Sequence, residues 1–331
     1  MARLMGSLRC CCCCLLVFLL ATLDTATATA TAAGNETQTN LWAVILSTSR
    51  YFFNIRHTSN ALTMYHLCRK HGLDDDHILL FLGDSYACDP RNPYPAAIHS
   101  ALSGSDRVNL YGCSVEVDYA GYDVDVRRFL GLLQGRYDAL TPPSRRLNTD
   151  ENSNILIYAA GHAAEGFFKV QDSEFMSSMD VADTLMMMWE QRRYRKVVFL
   201  VDTCRALAMC LEIKAPNVIC LTSSDATLES FSHHVEPLIG LTFISRWSFE
   251  SLQLLEHAKC RVGPNEKTTL QMSWYDFNYG AERKSLPPPL SVPSHFDAVN
   301  EPGAIHRWKL EEFFCDRARE IVSVDVRYDL L

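Results

Sequence analysis

Five short apolar runs, Leu41–Ser47, Ile78–Leu82, 155–160, 197–201 and Val218–Thr222, constrain the fold of this 331-residue chain more than any other feature. At five to seven residues each they have strand length, and their unbroken apolar character is that of strands buried on both faces. The segments between them carry helical spacing. Residues 58–71 place Leu62, Tyr65 and Cys68/Arg69 on one stripe; 124–133 follows the same rule; 179–193 aligns Val181, Leu185, Met188 and Trp189. A short helix is expected over 204–213 and a long one over 237–257. Strands alternating with helices predict an α/β fold, a three-layer sandwich with a mostly parallel central sheet flanked by helices. Residues 84–95 and 286–302 are rich in proline and polar residues and read as irregular surface loop and linker.

The amino terminus reads as an address. Arg3 and Arg9 precede an apolar run over 10–23, and small Ala/Thr residues follow to position 33. That order is a secretory signal peptide. The run of about 14 residues falls short of the roughly 20 that span a bilayer. The net charge of -8, without a basic cluster, gives no surface for nucleic acid. Of thirteen cysteines, five lie at 10–14; Cys68, Cys88, Cys113, Cys204, Cys210, Cys220, Cys260 and Cys315 remain. Removing one of these as a nucleophile leaves an odd number, which in an oxidising compartment allows an intermolecular bridge or another free thiol. Cys68 and Cys220 sit where small buried hydrophobes belong. Asn35-Glu36-Thr37 is the one glycosylation sequon.

Two of the runs end in reactive side chains: 155–160 leads into Gly161-His162, and 197–201 into Asp202-Thr203-Cys204. Ligands of open α/β sheets sit beyond the carboxyl ends of the strands. A helix-length segment separates the two runs, as one right-handed crossover requires. Neighbouring strands would then bring Cys204 and His162 into one crevice, as nucleophile and base of an acyl transfer. A helix opening at Cys204 would favour its thiolate. Either residue alone is more often a buried thiol or a turn. A zinc site is weakly supported, because Cys204 and Cys210 lack a Cys/His pairing of recognised spacing.

These motifs carry a family resemblance. Asn154-Ile-Leu-Ile-Tyr158, Gly161-His162, Gly166-Phe-Phe-Lys169, Gln171-Asp-Ser-Glu174 and Asp202-Thr-Cys204 closely resemble the catalytic subunits of GPI transamidase, relatives of legumain among the caspase-like cysteine peptidases. Upstream, Tyr51-Phe-Phe-Asn54, Arg56-His57, Asn60, Ala87-Cys88, Pro90-Arg-Asn-Pro93 and Val115-Glu-Val-Asp-Tyr119 are similar too. The resemblance implies a caspase-like fold, with a signal peptide over 1–33, a catalytic domain over 34–260 and a C-terminal extension over 261–331 that has no transmembrane helix.

It also implies a chemistry. Cys204 is the expected nucleophile and His162 the base; Asn54 orients the imidazole, although by its residue type alone a turn role is equally good. The backbone N–H groups of Ala163 and Cys204 form the expected oxyanion hole. The chain departs from the family's pattern at Ala163-Ala164, where Gly-Gly is usual, and at Arg205, where Gln is usual. Alanine still supplies an N–H, but a position needing positive φ would disfavour it. Arg205 would either lower the thiol pKa or face solvent. Ser223, Ser224 and Asp225 read as a substrate pocket or a turn.

No cofactor is expected for the reaction. A structural calcium ion is implied at Asp75, the backbone of Ile78, Glu116 and Asp118; without the resemblance, Glu116 and Asp118 read as one solvated strand face. Cys88 is implied to bridge to another transamidase subunit. The expected activity cleaves the C-terminal signal of proproteins and joins the new carboxyl end to a GPI lipid. It would take place in the endoplasmic reticulum lumen, with membrane association through partner subunits. Two rivals stand beside this: a legumain-type lumenal endopeptidase and an inactive scaffold.

Overall fold

The computed structural model describes residues 40–100, 108–257 and 293–314. The signal segment, the Asn35 sequon, Cys260 and Cys315 lie outside them, as does most of the expected C-terminal extension. Chain order begins β1 (Leu41–Ser47), α1 (Ile55–Lys70), β2 (Ile78–Leu82), β3 (Tyr119–Ala120), α2 (Val126–Leu133) and β4 (Asn154–Ala160). Next come β5 (His162–Ala164), β6 (Phe167–Val170), β7 (Glu174–Ser177), α3 (Ser178–Glu190), β8 (Lys196–Asp202) and β9 (Val218–Thr222). A hairpin of β10 (Ser232–Glu236) and β11 (Leu241–Ser245), then α4 (Arg246–His257) and β12 (Ser294–Phe296), completes them, followed by the short helix Glu311–Phe314.

Seven strands form the main sheet in the order β12-β9-β8-β4-β1-β2-β3. All its pairs are parallel except β12 against β9. The chain runs from β1 outward to β2 and β3, then returns to β4 on the other side of β1 and proceeds to β8 and β9. β1 and β4 therefore flank the point at which strand order reverses, the place where open α/β sheets bind ligands.

Alternation along each strand separates two cores. Ala43, Ile45, Leu80, Leu156, Tyr158, Val198 and Leu200 face α1 and α4, against Leu62, Met64, Trp247 and Leu252. Val44, Leu79, Phe81, Ile155, Ile157, Val197 and Phe199 face α2 and α3, against Phe129, Leu132, Val181, Leu185 and Met188. This is the expected three-layer sandwich. Helices α2 and α3 start where side chains satisfy their free amides: Asp125 accepts from the Arg128 N–H at 2.6 Å, and Ser177 with Asp180 forms a capping box. Such caps contribute about 1 kcal/mol each.

The structure differs from the sequence expectation in four places. Residues 237–257 are not one helix, because Gly240 (φ 66°) turns the chain between β10 and β11 before α4 begins at Arg246. No α-helix forms over 204–213; Arg205 adopts a left-handed conformation (φ 52°, ψ 37°), and only a 3-10 turn over Ala206–Met209 follows. Residues 162–177 form a three-stranded antiparallel sheet, β5-β6-β7, whose strands are too short for periodicity to register. The carboxyl end of the expected 286–302 linker contributes strand β12, and Trp308, Leu310, Phe313 and Phe314 beyond it are buried in the first core. Among the described residues no helix is long and apolar enough to cross a membrane.

Candidate active site

Three neighbouring strands, β8, β4 and β1, end side by side, and each delivers one of the expected residues. β4 pairs with β8 through Ala160 and Asp202, and with β1 through Ala160 and Ser47. Main-chain bonds continue past the strand ends, from Thr48 N to Ala160 O at 3.0 Å and from Gly161 N to Asp202 O at 3.4 Å. Cys204 follows β8, His162 opens β5 one residue after β4, and Asn54 closes the turn after β1. His162 thus occupies the middle position.

Gly161 makes the step from β4 to β5 sterically feasible. A Cβ there would lie 2.0 Å from Thr48 Oγ1 and 2.7 Å from the Phe168 ring. His162 is half-buried, and its Nε2 donates to Asn54 Oδ1 at 2.8 Å. Asn54 is itself fixed, because its Nδ2 donates to the Arg50 carbonyl at 2.7 Å. With Nε2–H committed to the amide, Nδ1 carries the lone pair that a base needs. Asn54 thus holds the His162 ring in place from the turn after β1.

His57 stands behind His162, a contribution that the sequence reading missed. It is buried, bonds Ser49 Oγ through Nδ1 at 2.7 Å, and meets the His162 ring edge-to-face at a centroid distance of 4.9 Å. Burial, followed by the Arg56 and His162 charges, pushes the His57 pKa well below the ordinary value. Burial also lowers the pKa of His162, with Arg56 and Lys169 adding to the effect and Asp172 opposing it. Two imidazoles in edge-to-face contact, both with lowered pKa, are neutral at pH 7.

The Cys204 turn is held by the loop that follows β9. Thr203 N donates to Ser223 Oγ at 3.0 Å, Ser223 Oγ and Ser224 Oγ donate to Thr203 O at 2.8 and 2.9 Å, and Ala206 N donates to Ser224 Oγ at 3.0 Å. Ser223 and Ser224 are fully buried in this lashing, so they brace the turn that carries Cys204 and do not line a pocket. Asp225 accepts from Thr227 and Ser294, as a turn residue does.

The Cys204 sulfur accepts from Ser230 N at 3.4 Å and lies 3.7 Å from the Ser230 carbonyl. Burial, and a hydrogen bond to Glu229, push its thiol up to about 11, so the resting residue is protonated. The expected helix amides are absent from this position because Arg205 is left-handed. Arg205 does not compensate; it faces Glu165 and Glu229, each at 3.6 Å. Cys204 is thus a neutral thiol and His162 a neutral imidazole, carried past the ends of the adjacent strands β8 and β4.

Below the site lies a polar cluster that sequence reasoning did not find. Asp202 is buried and accepts from Asn60 Nδ2 at 3.0 Å, Tyr158 Oη at 3.1 Å, Ser248 Oγ at 2.6 Å and Ser245 Oγ. Burial raises its pKa, and these donors with the Arg56 charge oppose the rise. Arg56 is half-buried; desolvation lowers its pKa, and the negative charges of Asp202 and Cys204 oppose that.

Ala163 and Ala164, the departures from Gly-Gly, lie in β5 and neither has positive φ. Alanine is therefore unstrained where the oxyanion donor is expected. The implied calcium positions share a neighbourhood without closing into a site. Tyr65 Oη donates to Asp75 and receives from Glu116 N at 3.4 Å, while Asp75 also pairs with Arg69 at 3.3 Å. Asp118 accepts from Leu80 N at 2.8 Å; burial foremost, and the Glu116 charge, raise its pKa to about 7. Among the described residues, no group of three His, Cys, Asp or Glu side chains could hold a metal ion. Cys88 and Cys113 are exposed free thiols, whereas Cys68, Cys210 and Cys220 are buried.

Several known proteins are similar to this chain. The model of the Peptidase C13 family matches residues 41–274. The GPI-anchor transamidase of Schizosaccharomyces pombe is 42% identical over 240 residues, 72% of this chain and 62% of that protein. The GPI-anchor transamidase of Homo sapiens is 42% identical over 232 residues, 70% of this chain and 57% of that protein. That of Saccharomyces cerevisiae is 41% identical over 243 residues, 73% of this chain and 58% of that protein. The matched stretch thus spans about three-fifths of the length of these relatives. Caspase-1 of Spodoptera frugiperda superposes with a TM-score of 0.44 at 10% identity, over 79% of this chain and 87% of that one.

Proposed function

The chain belongs to the Peptidase C13 family, and from that premise we propose that it is a cysteine-dependent GPI-anchor transamidase. The observation that carries this reading is the delivery of Cys204, His162 and Asn54 from the ends of three adjacent strands, with His162 between the other two.

In this mechanism Cys204 attacks the carbonyl of a small residue near the carboxyl end of a proprotein. His162 Nδ1 takes the thiol proton as the C–S bond forms, while Asn54 holds the ring and its tautomer. The N–H groups of Ala163 and Cys204 stabilise the oxyanion. His162 then returns the proton to the leaving amide nitrogen, and the apolar signal tail departs. A thioester remains on Cys204. The ethanolamine amine of a GPI lipid attacks it, the C–S bond breaks, and an amide-linked anchor results.

The remaining expectations belong to the same proposal. The exposed thiol of Cys88 suits a disulfide to a partner subunit in an oxidising lumen. Asn35 is the glycosylation site, the chain works in the lumen of the endoplasmic reticulum, and partner subunits hold it at the membrane. A calcium ion at Asp75, Ile78, Glu116 and Asp118 also belongs to it. The buried Asp118 suits a cation, but Asp75 already faces Arg69 and would have to turn from it.

Cys204→Ala in cells lacking the native protein tests the reading. Loss of GPI-anchored proteins from the surface is expected, and undiminished display would overturn it. A legumain-type endopeptidase, in which water resolves the thioester, is separated by supplying hydroxylamine with a reporter proprotein. A trapped adduct at the attachment site supports the transamidase.

A further inference from the structure

The carboxyl edge of the sheet has a direction. Cys204, His162 and Asn54 follow β8, β4 and β1 in that order, and β2 and β3 continue the row. To protonate the leaving amide nitrogen His162 must touch it, so the leaving group extends from Cys204 past His162 toward β1. An incoming amine gives its proton to the same imidazole and therefore enters from that side. There the turns after β1 and β3 expose an aromatic cluster: Tyr51, Phe53 and Tyr122 are 44%, 52% and 81% exposed. The Tyr51 and Phe53 rings stack at a centroid distance of 6.0 Å. The Arg50 guanidinium lies 5.7 Å from the Tyr51 ring centre and 5.0 Å from that of Tyr122, whose hydroxyl its Nη2 reaches at 3.5 Å. Among the described residues Arg50 makes no ion pair, and the neighbouring Asp84 carboxylate is taken by the Tyr51 and Ser85 amides at 2.9 and 2.8 Å.

We propose that Arg50, Tyr51, Phe53 and Tyr122 form the acceptor subsite, a platform on which a sugar of the GPI head stacks while Arg50 takes its phosphate. This rests on the transamidase reading and names residues for its second half-reaction. In that step the amine nitrogen forms the C–N bond and passes one proton to His162, and the Cys204 sulfur takes that proton as the C–S bond breaks. With strands about 4.8 Å apart, the β3 turn lies roughly 14 Å from His162 along the sheet edge, too far for the amine but within reach of the sugars that carry it. The C–H face of a pyranose suits the negative face of an exposed ring, and an unpaired guanidinium suits a phosphate. The departing signal is a poorer occupant, because its apolar stretch begins only after a polar spacer of about 8–12 residues and falls beyond the platform. The cluster is also built. Tyr51 is held at φ 69°, ψ 138°, a strained conformation for a residue with a side chain. Its carbonyl accepts from Asn54 N at 2.9 Å, so the turn that fixes the partner of His162 also presents the platform.

The test uses the full-length chain purified with its associated proteins, a reporter proprotein, and two competing acceptors: a GPI lipid in detergent micelles and hydroxylamine, which has neither sugar nor phosphate. The readout is the ratio of GPI-linked to hydroxylamine-linked reporter, which cancels any effect on the first half-reaction. Tyr122→Ala should lower that ratio about fivefold, the scale of one lost ring contact, and Tyr122→Phe, which keeps the ring, should hold it near the wild-type value. Arg50→Gln should lower it about tenfold, the scale of one lost charged hydrogen bond. An unchanged ratio in either Tyr122→Ala or Arg50→Gln, with both products still formed, overturns the subsite and leaves the transamidase reading standing. That is the result if the cluster instead holds the signal tail, when both products fall together, or a membrane surface, which micelles remove. A wild-type preparation that yields only hydrolysed reporter overturns both.

Discussion

His162 donates its Nε2–H to Asn54 Oδ1 at 2.8 Å, and Asn54 is in turn anchored to the Arg50 carbonyl at 2.7 Å. The bond fixes which imidazole nitrogen is free to act as base, and the anchor prevents the amide from rotating to present its NH2. Asn54→Ala should therefore lower kcat substantially, up to the roughly 10²–10⁴-fold that a general base contributes. The fold should lose only about 1 kcal/mol, the worth of one hydrogen bond. Steady-state kinetics and thermal denaturation of the same sample distinguish this from simple unfolding.

The protonation states set a broad pH profile. Attack needs neutral His162 and protonated Cys204, or the ion pair of equal proton count. Burial holds the His162 pKa below 6.5, so the acid limb of kcat/KM should lie below that value. The thiol, pushed up to about 11, places the alkaline limb near there. A rate profile falling between pH 7 and 9 would contradict this.

Stability should follow acid pH with a definite sign. His57, His66, His71 and His162 all have pKa values lowered foremost by burial. The unfolded chain then binds more protons than the folded one as pH drops through the ordinary histidine value of 6.5. Their stabilisation is fully present above that value and is lost as pH falls from it through the folded values. Melting temperature should decline from pH 7.5 to 5.5. His57→Asn, which keeps a polar partner for Ser49, should flatten the slope.

The sheet and the adjacency of the two run ends that carry Gly-His and Asp-Thr-Cys were legible in the sequence, because buried parallel strands are uninterrupted apolar runs. What escaped was set by contacts distant in sequence. His57 supports His162 from 105 positions upstream, and the donors to Asp202 come from Asn60, Tyr158, Ser245 and Ser248 on four separate elements. The left-handed Arg205 also left no sequence signal. Its backbone N–H donates a hydrogen bond to Leu228 O, and its conformation removes the helix start expected at Cys204.

The Asp202 cluster yields a prediction about stability. Burial disfavours its charge, and each donor offsets part of that cost. Ser248→Ala deletes the donor at 2.6 Å and should destabilise the fold by about 2 kcal/mol at neutral pH. A raised folded pKa means that protonating Asp202 relieves the penalty, so the difference from wild type should narrow as pH falls through that pKa. Denaturant titrations at two pH values measure this, and a pH-independent difference would argue that the carboxylate is not the group affected.

Gly161→Ala isolates the step that presents His162. The added methyl would lie 2.0 Å from Thr48 Oγ1 and 2.7 Å from the Phe168 ring, and the nearer atom belongs to a short side chain beside β4 whose Oγ1 reaches the Ala160 carbonyl at 3.5 Å. Relief therefore requires β5 to move away from β1, which draws His162 from Asn54. A stability loss of about 1–3 kcal/mol is expected from overpacking, together with a fall in kcat. Thr48→Ala in the same chain removes the nearer clash but leaves Phe168. The double variant should therefore recover part of both losses, showing negative coupling between the sites. Strict additivity would place the strain elsewhere, because two residues that collide cannot contribute independently.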